Sequence, residues 1–314
     1  MKKIIVFASV ILLSCAVFSQ IPASWQGHDS RITSISFTND GKHIATGCFD
    51  GIVTIWKTTD GKKVREIVAH TDAVNGIAFS HDNSRMVTIS SDLRIKVWDF
   101  ATGDNISNAP AHGGSINSIT LNPIKDEFIT TGDDKMFRIW EVNPLKMTLS
   151  QVVHATEVND AVFNHDGNNI ITVGSDTHVK LLGRRRGNVL ATLKGHEGPI
   201  KSARYNHNGR FLATAGFDKL IKIWDVNTRR ERHSLEGHIE NIYSVAFMPD
   251  SNFLASGGDD LYIIIWNASS GERVKTIETN VTLRSLTFSP DGKLLVFGDE
   301  TGKIHVLKTK EILE

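Results

Sequence analysis

An imidazole, a hydroxyl group and a carboxylate recur together six times along this chain. The first set is His28, Thr46 and Asp50, and the histidine returns every 42 residues without a slip. Such a set supplies a general base, a nucleophile and an orienting acid, the ingredients of acyl-transfer catalysis. One enzyme has no use for six copies of its catalytic set, however. The repetition therefore predicts that these residues build the fold, and that function lies in what the repeats do not share.

A tryptophan stands six residues after the aspartate in five of the six repeats, and Leu182 takes its place in the fourth. A period of about 40–45 residues is typical of one propeller blade per repeat. The sets, in the order histidine, hydroxyl residue, aspartate and tryptophan, are His28, Thr46, Asp50 and Trp56; His70, Thr88, Asp92 and Trp98; His112, Thr130, Asp134 and Trp140; His154, Thr172 and Asp176; His196, Thr214, Asp218 and Trp224; and His238, Ser256, Asp260 and Trp266.

The repeats resemble those of the WD-repeat (WD40) family over roughly residues 24–308. The resemblance implies that the four recurring side chains form a buried hydrogen-bonded chain, which pins the outer strands of a blade to its inner ones. It also implies that the loops holding the histidine and the aspartate open on one face of the ring, the top face, where partners commonly bind. The dipeptides that carry the resemblance are Trp98-Asp99, Trp224-Asp225, Gly27-His28, Gly195-His196 and Gly237-His238.

The fifth repeat shows how one repeat becomes a blade. Residues 200–205, 210–215, 220–224 and 233–235 are short, mostly alternating segments separated by turn residues such as Asn208-Gly209. No helical period interrupts them, so they predict four antiparallel strands. Packed radially, such sheets make an all-β protein, a seven-bladed β-propeller of four-stranded antiparallel blades.

The seventh repeat is degenerate. Residues 283–307 supply three strands, but Phe297 and Thr301 stand where the hydroxyl residue and the aspartate belong. These replacements predict that the seventh blade lacks the polar chain. Its fourth strand is expected from the other end of the chain, because Pro22–Trp25 precedes Gly27-His28 as an outer strand precedes each Gly-His pair. The N-terminal strand would thus close the ring in blade 7 and leave no open sheet edge at the seam.

The start of the chain does not belong to the ring. Met1–Lys3 is basic, and Ile4–Val17 is almost wholly apolar but too short for a comfortable membrane span. This pattern predicts a signal peptide over residues 1–19 and a propeller over residues 20–314, exported from a bacterial cell to the periplasm or secreted. An uncleaved N-terminal anchor and a lipoprotein anchored at Cys15 are the alternatives.

Composition narrows the function further. Lysine and arginine number 35, as do aspartate and glutamate, so no net field attracts nucleic acid or an anionic membrane. Cleavage after Ser19 would leave Cys48 as the single cysteine and exclude an internal disulfide. The chain has no phosphate-binding glycine loop, zinc-ligand spacing or nucleophile elbow. We therefore expect a monomeric ring with no catalytic residue, metal, cofactor, nucleic acid partner or transmembrane span in the mature chain.

The top face is the first candidate for binding. The residue before each aspartate is expected to face outward there, and an exposed phenylalanine would anchor an interface. Side chains of the innermost strands are expected to line the channel mouth, where three consecutive asparagines could bind a ligand or form a hydrated rim. Asp160 would lie near this channel. The candidate residues are Phe49, Phe217, Asp133 and Asp259 on the face, and Asn75, Asn117, Asn159, Lys201, Tyr243 and Arg284 at the mouth.

The opposite, bottom face carries arginines in the third turns of blades 4 and 5. If these turns merge into one exposed patch, the patch could bind anionic groups or glycans through guanidinium contacts. The preferred interpretation is a non-catalytic, exported scaffold that presents its faces to one or more proteins. The alternatives are this anion binder and an enzyme with a site at the channel mouth. The arginines are Arg184, Arg185, Arg186, Arg229 and Arg230.

Overall fold

The fold is known from a computed structural model that describes residue 21 and residues 23–313. The predicted signal peptide over residues 1–19 and the alternative anchor at Cys15 lie outside the described residues. The described part contains 28 strands in seven four-stranded antiparallel sheets and one short helix. The prediction of an all-β, seven-bladed propeller is confirmed.

Six blades consist of four consecutive strands each, and blade 7 takes its outermost strand from the N-terminal end. The elements are β1 Ser24–Gln26; blade 1, β2 Ile32–Phe37, β3 His43–Cys48, β4 Ile52–Lys57 and β5 Lys63–Val68; blade 2, β6 Val74–Phe79, β7 Arg85–Ser90, β8 Arg94–Asp99 and β9 Asn105–Pro110; blade 3, β10 Ile116–Leu121, β11 Glu127–Gly132, β12 Met136–Val142 and β13 Leu145–Val152; blade 4, β14 Val158–Phe163, β15 Asn169–Gly174, β16 Val179–Gly183 and β17 Val189–Leu193; blade 5, β18 Ile200–Tyr205, β19 Phe211–Gly216, β20 Ile221–Asp225 and β21 Arg230–Leu235; blade 6, β22 Ile242–Phe247, β23 Phe253–Gly258, β24 Tyr262–Asn267 and β25 Glu272–Glu278; blade 7, β26 Leu283–Phe288, β27 Leu294–Asp299 and β28 Lys303–Lys308; and α1 Thr309–Leu313.

A bulge near the start of each first strand sets the shape of the channel mouth. In blade 1, Ile32 pairs with Cys48 and Ser34 pairs with Gly47, so Thr33 has no partner in the ladder. The same one-residue shift recurs in the other six blades. A bulge turns the extra residue out of the regular alternation. The seven bulge residues consequently line the mouth of the central channel.

The turn after each aspartate requires a left-handed backbone. Gly51 has φ of 86°, and a Cβ there would lie 2.2 Å from the carbonyl oxygen of His70. The other five repeats place residues with side chains in this conformation, at a cost of roughly 1–2 kcal/mol each. The repeated turn thus overrides local preference, because it positions the aspartate. These residues are Leu93, Lys135, Thr177, Lys219 and Leu261.

The hydrophobic core lies between neighbouring blades. Trp224 of blade 5 packs in one cluster with Val173 and Val179 of blade 4. All six residues of β19 are buried, whereas the outermost strand β5 alternates between exposed and half-buried side chains. Each sheet therefore packs both faces against its neighbours along its inner strands, and its side chains are most exposed along the outermost strand.

The first and last strands of the described part of the chain meet in blade 7, as predicted. Ser24, Trp25 and Gln26 of β1 pair antiparallel with His305, Ile304 and Lys303 of β28. The Trp25 ring also packs edge-on against Trp56 of blade 1, with centroids 5.9 Å apart. The sequence pattern predicted no helix or strand after β28, but α1 forms there and buries Ile312 against blade 7. No helix within residue 21 and residues 23–313 is long and apolar enough to cross a membrane.

Candidate functional site

The repeated polar residues do form a hydrogen-bonded chain. In blade 5, His196 Nδ1 lies 2.6 Å from Asp218 Oδ2, and His196 Nε2 lies 2.8 Å from Thr214 Oγ1. The indole of Trp224 donates to the same hydroxyl oxygen at 2.8 Å. Blades 2, 3 and 6 repeat these three contacts, and blade 4 keeps the two histidine contacts around its buried Leu182.

Burial decides against a catalytic role for these sets. The hydroxyl residues Thr88, Thr130 and Thr214 are 0% exposed, so no substrate reaches their oxygen atoms. Burial raises the pKa of the Asp218 carboxyl, but the hydrogen bonds from His196 and from a backbone amide outweigh burial and hold the pKa below its usual value. The carboxylate thus stays ionised, and the set is a structural link between loop and strand.

Two blades depart from this pattern. In blade 1, His28 Nε2 contacts Thr46 Oγ1 at 2.7 Å, but the exposed Asp50 makes no hydrogen bond to the imidazole. Blade 7 lacks the repeat's polar chain, as predicted, because the buried Phe297 replaces the hydroxyl residue, but a different polar network forms there. Asp299 Oδ2 lies 2.7 Å from His305 Nε2, and Asp299 Oδ1 accepts from the Thr301 hydroxyl at 2.7 Å. Alignment to the repeat did not reveal this network, because Asp299 and His305 occupy positions that hold other residue types in blades 1–6.

The contrast between blades 1 and 5 gives a matched prediction. Asp218→Ala removes the acceptor of the buried His196, so we expect a loss of about 1–3 kcal/mol in the free energy of unfolding. Asp50→Ala removes no such bond, and we expect a change within about 0.5 kcal/mol. Chemical denaturation of both variants measures the difference. A metal chelator is present so that no bound ion alters the stability of either variant. Equal losses would show that the aspartate-to-histidine bond contributes nothing to stability.

The channel mouth contains the side chains that the sequence assigned to it. The seven bulge residues surround a depression of about 430 Å³ on the top face. Arg31, Phe49, Ser91 and Ser115 also line it. Phe49 and Ser91 precede repeat aspartates and were expected on this face, whereas Arg31 and Ser115 were not predicted. The bulge residues are Thr33, Asn75, Asn117, Asn159, Lys201, Tyr243 and Arg284.

The three asparagines join blades to each other. The amide of each donates to the backbone carbonyl of the first residue in the next blade's first strand, at 2.8 Å for Asn75, 3.0 Å for Asn117 and 2.8 Å for Asn159. Thr33 makes the equivalent bond to Val74 at 2.5 Å. Amide donors that were predicted to bind a ligand are therefore used in hydrogen bonds between blades.

The other side of the mouth is cationic and aromatic. The Arg284 guanidinium lies 3.7 Å from the centroid of the Tyr243 ring, and Phe217 packs edge-on against Tyr243 at 5.3 Å. Lys201 Nζ lies 5.1 Å from the centroid of the Phe217 ring. Burial lowers the pKa of Lys201, although the nearby Asp133 and Glu157 oppose this shift. Phe217 is consequently half-buried within this cluster, where the sequence analysis expected an outward-facing side chain.

Phe49 is the exposed aromatic residue at the mouth, with 49% of its surface accessible. The Arg31 guanidinium lies 4.7 Å from its ring centroid, and Arg31 also pairs with Glu300 at 3.4 Å. Ile239, which directly follows a repeat histidine, is 63% exposed on the same face. The equivalent position in the other repeats holds a polar or small residue. The isoleucine there was a signal that the sequence-based prediction did not use.

The two acidic candidates and the channel residue Asp160 already have partners. Asp133 is exposed and accepts from Asn117 Nδ2 at 2.8 Å. Asp259 pairs with Arg284 at 3.4 Å. Asp160 lines the channel, as expected, but it is 3% exposed and bonds to blade 5, through the Ala203 amide at 3.0 Å and the Arg204 guanidinium at 2.5 Å.

The arginines of the bottom face do not act as one set. Arg184 makes a bidentate pair with the buried Glu127 of blade 3, with Nε 2.8 Å from Oε2. The interpretation of Arg184 as an exposed cation is therefore wrong. Arg185, Arg186 and residues 229–230 are exposed, and no ion pair involves them within the described part of the chain. Of the five arginines predicted to form one patch, these four are exposed.

Fold, polar chain and repeat period together define a class, the propeller of WD-type repeats. The chain belongs to the WD40 family: the family model described as "WD domain, G-beta repeat" matches residues 19–57, 61–99, 103–141, 146–181, 187–225 and 229–267, more than half of the chain. Each match runs from the outermost strand of one blade to the third strand of the next. No curated protein matches the chain. Propellers of this family are commonly non-catalytic scaffolds for protein interaction.

Proposed function

We propose that this propeller is a non-catalytic platform that binds a partner protein through its top face. The observation that carries the proposal is the half-exposed ring of Phe49, held under Arg31 at the rim of the channel depression. An aromatic ring with few rotatable bonds supplies binding energy at low entropic cost. Its position beside a concave mouth gives a partner side chain both a contact and a place to insert.

The lining of the depression supports binding more than catalysis. Within the described residues, the side chains that line it include no histidine, carboxylate or cysteine. General acid–base catalysis most often relies on histidine or on carboxylates. Lys201 and Tyr243 remain, but their contacts with Phe217 and Arg284 fix them in the rim. An enzyme at the channel mouth is accordingly the weaker candidate.

The proposal includes a location outside the cytoplasm. Its support is the sequence of residues 1–19, a basic start followed by an apolar run. Partner binding and location can be tested on the same material, an envelope or secreted fraction of the native cell. We expect the chain recovered there to begin at or near Gln20; recovery of Met1 from the cytosol would contradict export.

A photo-crosslinking amino acid at position 49 tests the binding face, with a second one at position 186 on the bottom face as the matched control. We expect a discrete protein adduct from position 49. Phe49→Ala should weaken binding of the identified partner at least about tenfold, which corresponds to about 1.4 kcal/mol. Replacement of Arg185 and Arg186 by serine should leave binding unchanged. Adducts from position 186 alone, or binding lost only with the arginines or at high salt, would favour the anion-binding alternative.

A further inference from the structure

Blade 1 lacks a bond that the five following blades all make. In those blades the histidine Nδ1 lies 2.6–2.9 Å from the aspartate carboxylate. In blade 1, Asp50 Oδ1 accepts from the Ile52 amide at 3.0 Å, and no hydrogen bond joins the carboxylate to His28. The carboxylate-to-imidazole link between the loop before the first strand and the turn after the second strand is thus missing in blade 1. Within the described residues, only the Cys48 thiol, 3.3 Å from the Ser30 carbonyl, and the Phe49 amide, 3.0 Å from the Arg31 carbonyl, donate from this turn to that loop.

His28 is nevertheless buried, with only 6% of its surface exposed. Its Nε2 contacts Thr46 Oγ1 at 2.7 Å, and that hydroxyl donates to the Thr54 carbonyl at 3.3 Å. A hydroxyl whose proton points to a carbonyl accepts from the imidazole, so Nε2 carries the histidine proton. Nδ1 then presents a lone pair and has no hydrogen-bond partner in the described part of the chain.

Cys48 stands beside this lone pair. The equivalent position holds Ser90 in blade 2 and glycine in blades 3–6. An added Cβ at Gly132 would lie 2.8 Å from His112 Nδ1, and one at Gly174 would lie 3.1 Å from His154 Nδ1. This position therefore faces the Nδ1 edge of the ring. Cys48 is buried and free of any disulfide.

The three groups converge. One ring nitrogen of His28, Cys48 Sγ and one carboxylate oxygen of Asp50 all lie within 4.8 Å of one another. Zn²⁺ binds thiolate at about 2.3 Å and imidazole at about 2.0 Å, which places tetrahedral ligands about 3.5 Å apart. The exposed Asp50 can turn its carboxylate toward the other two ligands, and its solvent-facing position gives an ion a route to the buried sulfur.

We propose that His28, Cys48 and Asp50 form a binding site for a thiophilic divalent metal ion of the Zn²⁺ class on the top face of blade 1. Mixed thiolate, imidazole and carboxylate donors suit this class, and three protein ligands leave the fourth position to water. The contact from His28 Nε2 to Thr46 Oγ1 orients the imidazole, as a hydrogen bond to the non-ligating ring nitrogen does in metal sites. The ion replaces the missing aspartate-to-histidine bond and fixes the turn that carries Phe49.

Metal titration of the full chain, freed of metal by a chelator, tests the site. We expect one Zn²⁺ per chain in competition with a chromophoric chelator, and one Co²⁺ with a thiolate charge-transfer band. Cys48→Ser should abolish both, and Asp50→Asn should weaken Zn²⁺ binding at least about tenfold. Cys48→Ser should still fold, because Ser90 occupies the same position in blade 2 beside an intact His70–Asp92 bond.

Ser90→Cys is the matched control in blade 2. It brings a thiol next to His70, but Asp92 already binds that imidazole, so no second ion should bind. Excess Zn²⁺ should raise the melting temperature of the wild-type chain and leave that of Cys48→Ser unchanged. The proposal is overturned if the wild-type chain takes up no more Zn²⁺ than Cys48→Ser, or if bound Co²⁺ shows no thiolate band.

Discussion

A chain that begins at residue 27 should lose about 3–5 kcal/mol of unfolding free energy and self-associate. This truncation removes β1 (Ser24–Gln26), which is the outermost strand of blade 7. It deletes the backbone pairing with β28 and the packing of Trp25 against Trp56. It also leaves β28 as an unpaired edge that can pair with another chain.

Light scattering and chemical denaturation give the two readouts, and the chain that begins at Gln20 is the control. That control keeps β1 and should be monomeric with full stability. The seam also joins residues far apart in sequence, because Gln26 Nε2 donates to the Thr301 carbonyl at 2.7 Å. A truncated chain that stays monomeric with an unchanged denaturation midpoint would mean that β1 does not close the ring.

Arg184→Met should destabilise the protein by about 3–5 kcal/mol, although the sequence places Arg184 in a surface turn. The guanidinium neutralises Glu127 of blade 3, whose side chain is only 9% exposed. Removal of one partner leaves the other as an uncompensated buried charge, which costs more than the pair contributes. Arg185→Met is the matched control: Arg185 is exposed, so a change within about 0.5 kcal/mol is expected.

The double variant Arg184→Met with Glu127→Gln separates charge from packing. Removal of both charges should recover most of the lost stability, and a double-mutant cycle from denaturation midpoints measures the coupling. Additive losses would indicate that the two side chains contribute independently. If the single variant is as stable as wild type, Arg184 belongs with the exposed arginines that the alternative proposal assigns to anion binding.

The sequence by itself determined the architecture. The 42-residue return of the histidine set six blades, and the degenerate repeat over residues 283–307 supplied the seventh. The spacing of the remaining repeat residues placed the strands and the polar chain. It also determined that the N-terminal strand closes the ring. This outer strand has no inner strands of its own, so it must complete the degenerate seventh blade. These features are local or strictly periodic, so one repeat predicts the next.

The tertiary structure alone decided which polar side chains are available for function. Arg184 and Glu127 are 57 residues apart, and Asp160 and the Ala203 amide are 43 apart, yet each pair bridges two blades. The asparagines of the channel mouth likewise bond to the next blade. Radial packing sets these distances, and it is invisible to a pattern read along one repeat.

The same reason explains blade 1. Its histidine, hydroxyl residue, aspartate and tryptophan match the repeat, so the sequence predicted an ordinary polar chain there. Only the packed structure shows that Asp50 makes no hydrogen bond to His28 Nδ1 while Cys48 lies close to both residues. A residue type fixes what a side chain can bind, but the partners within reach, and hence what remains free for a metal ion or a protein, depend on the three-dimensional neighbours.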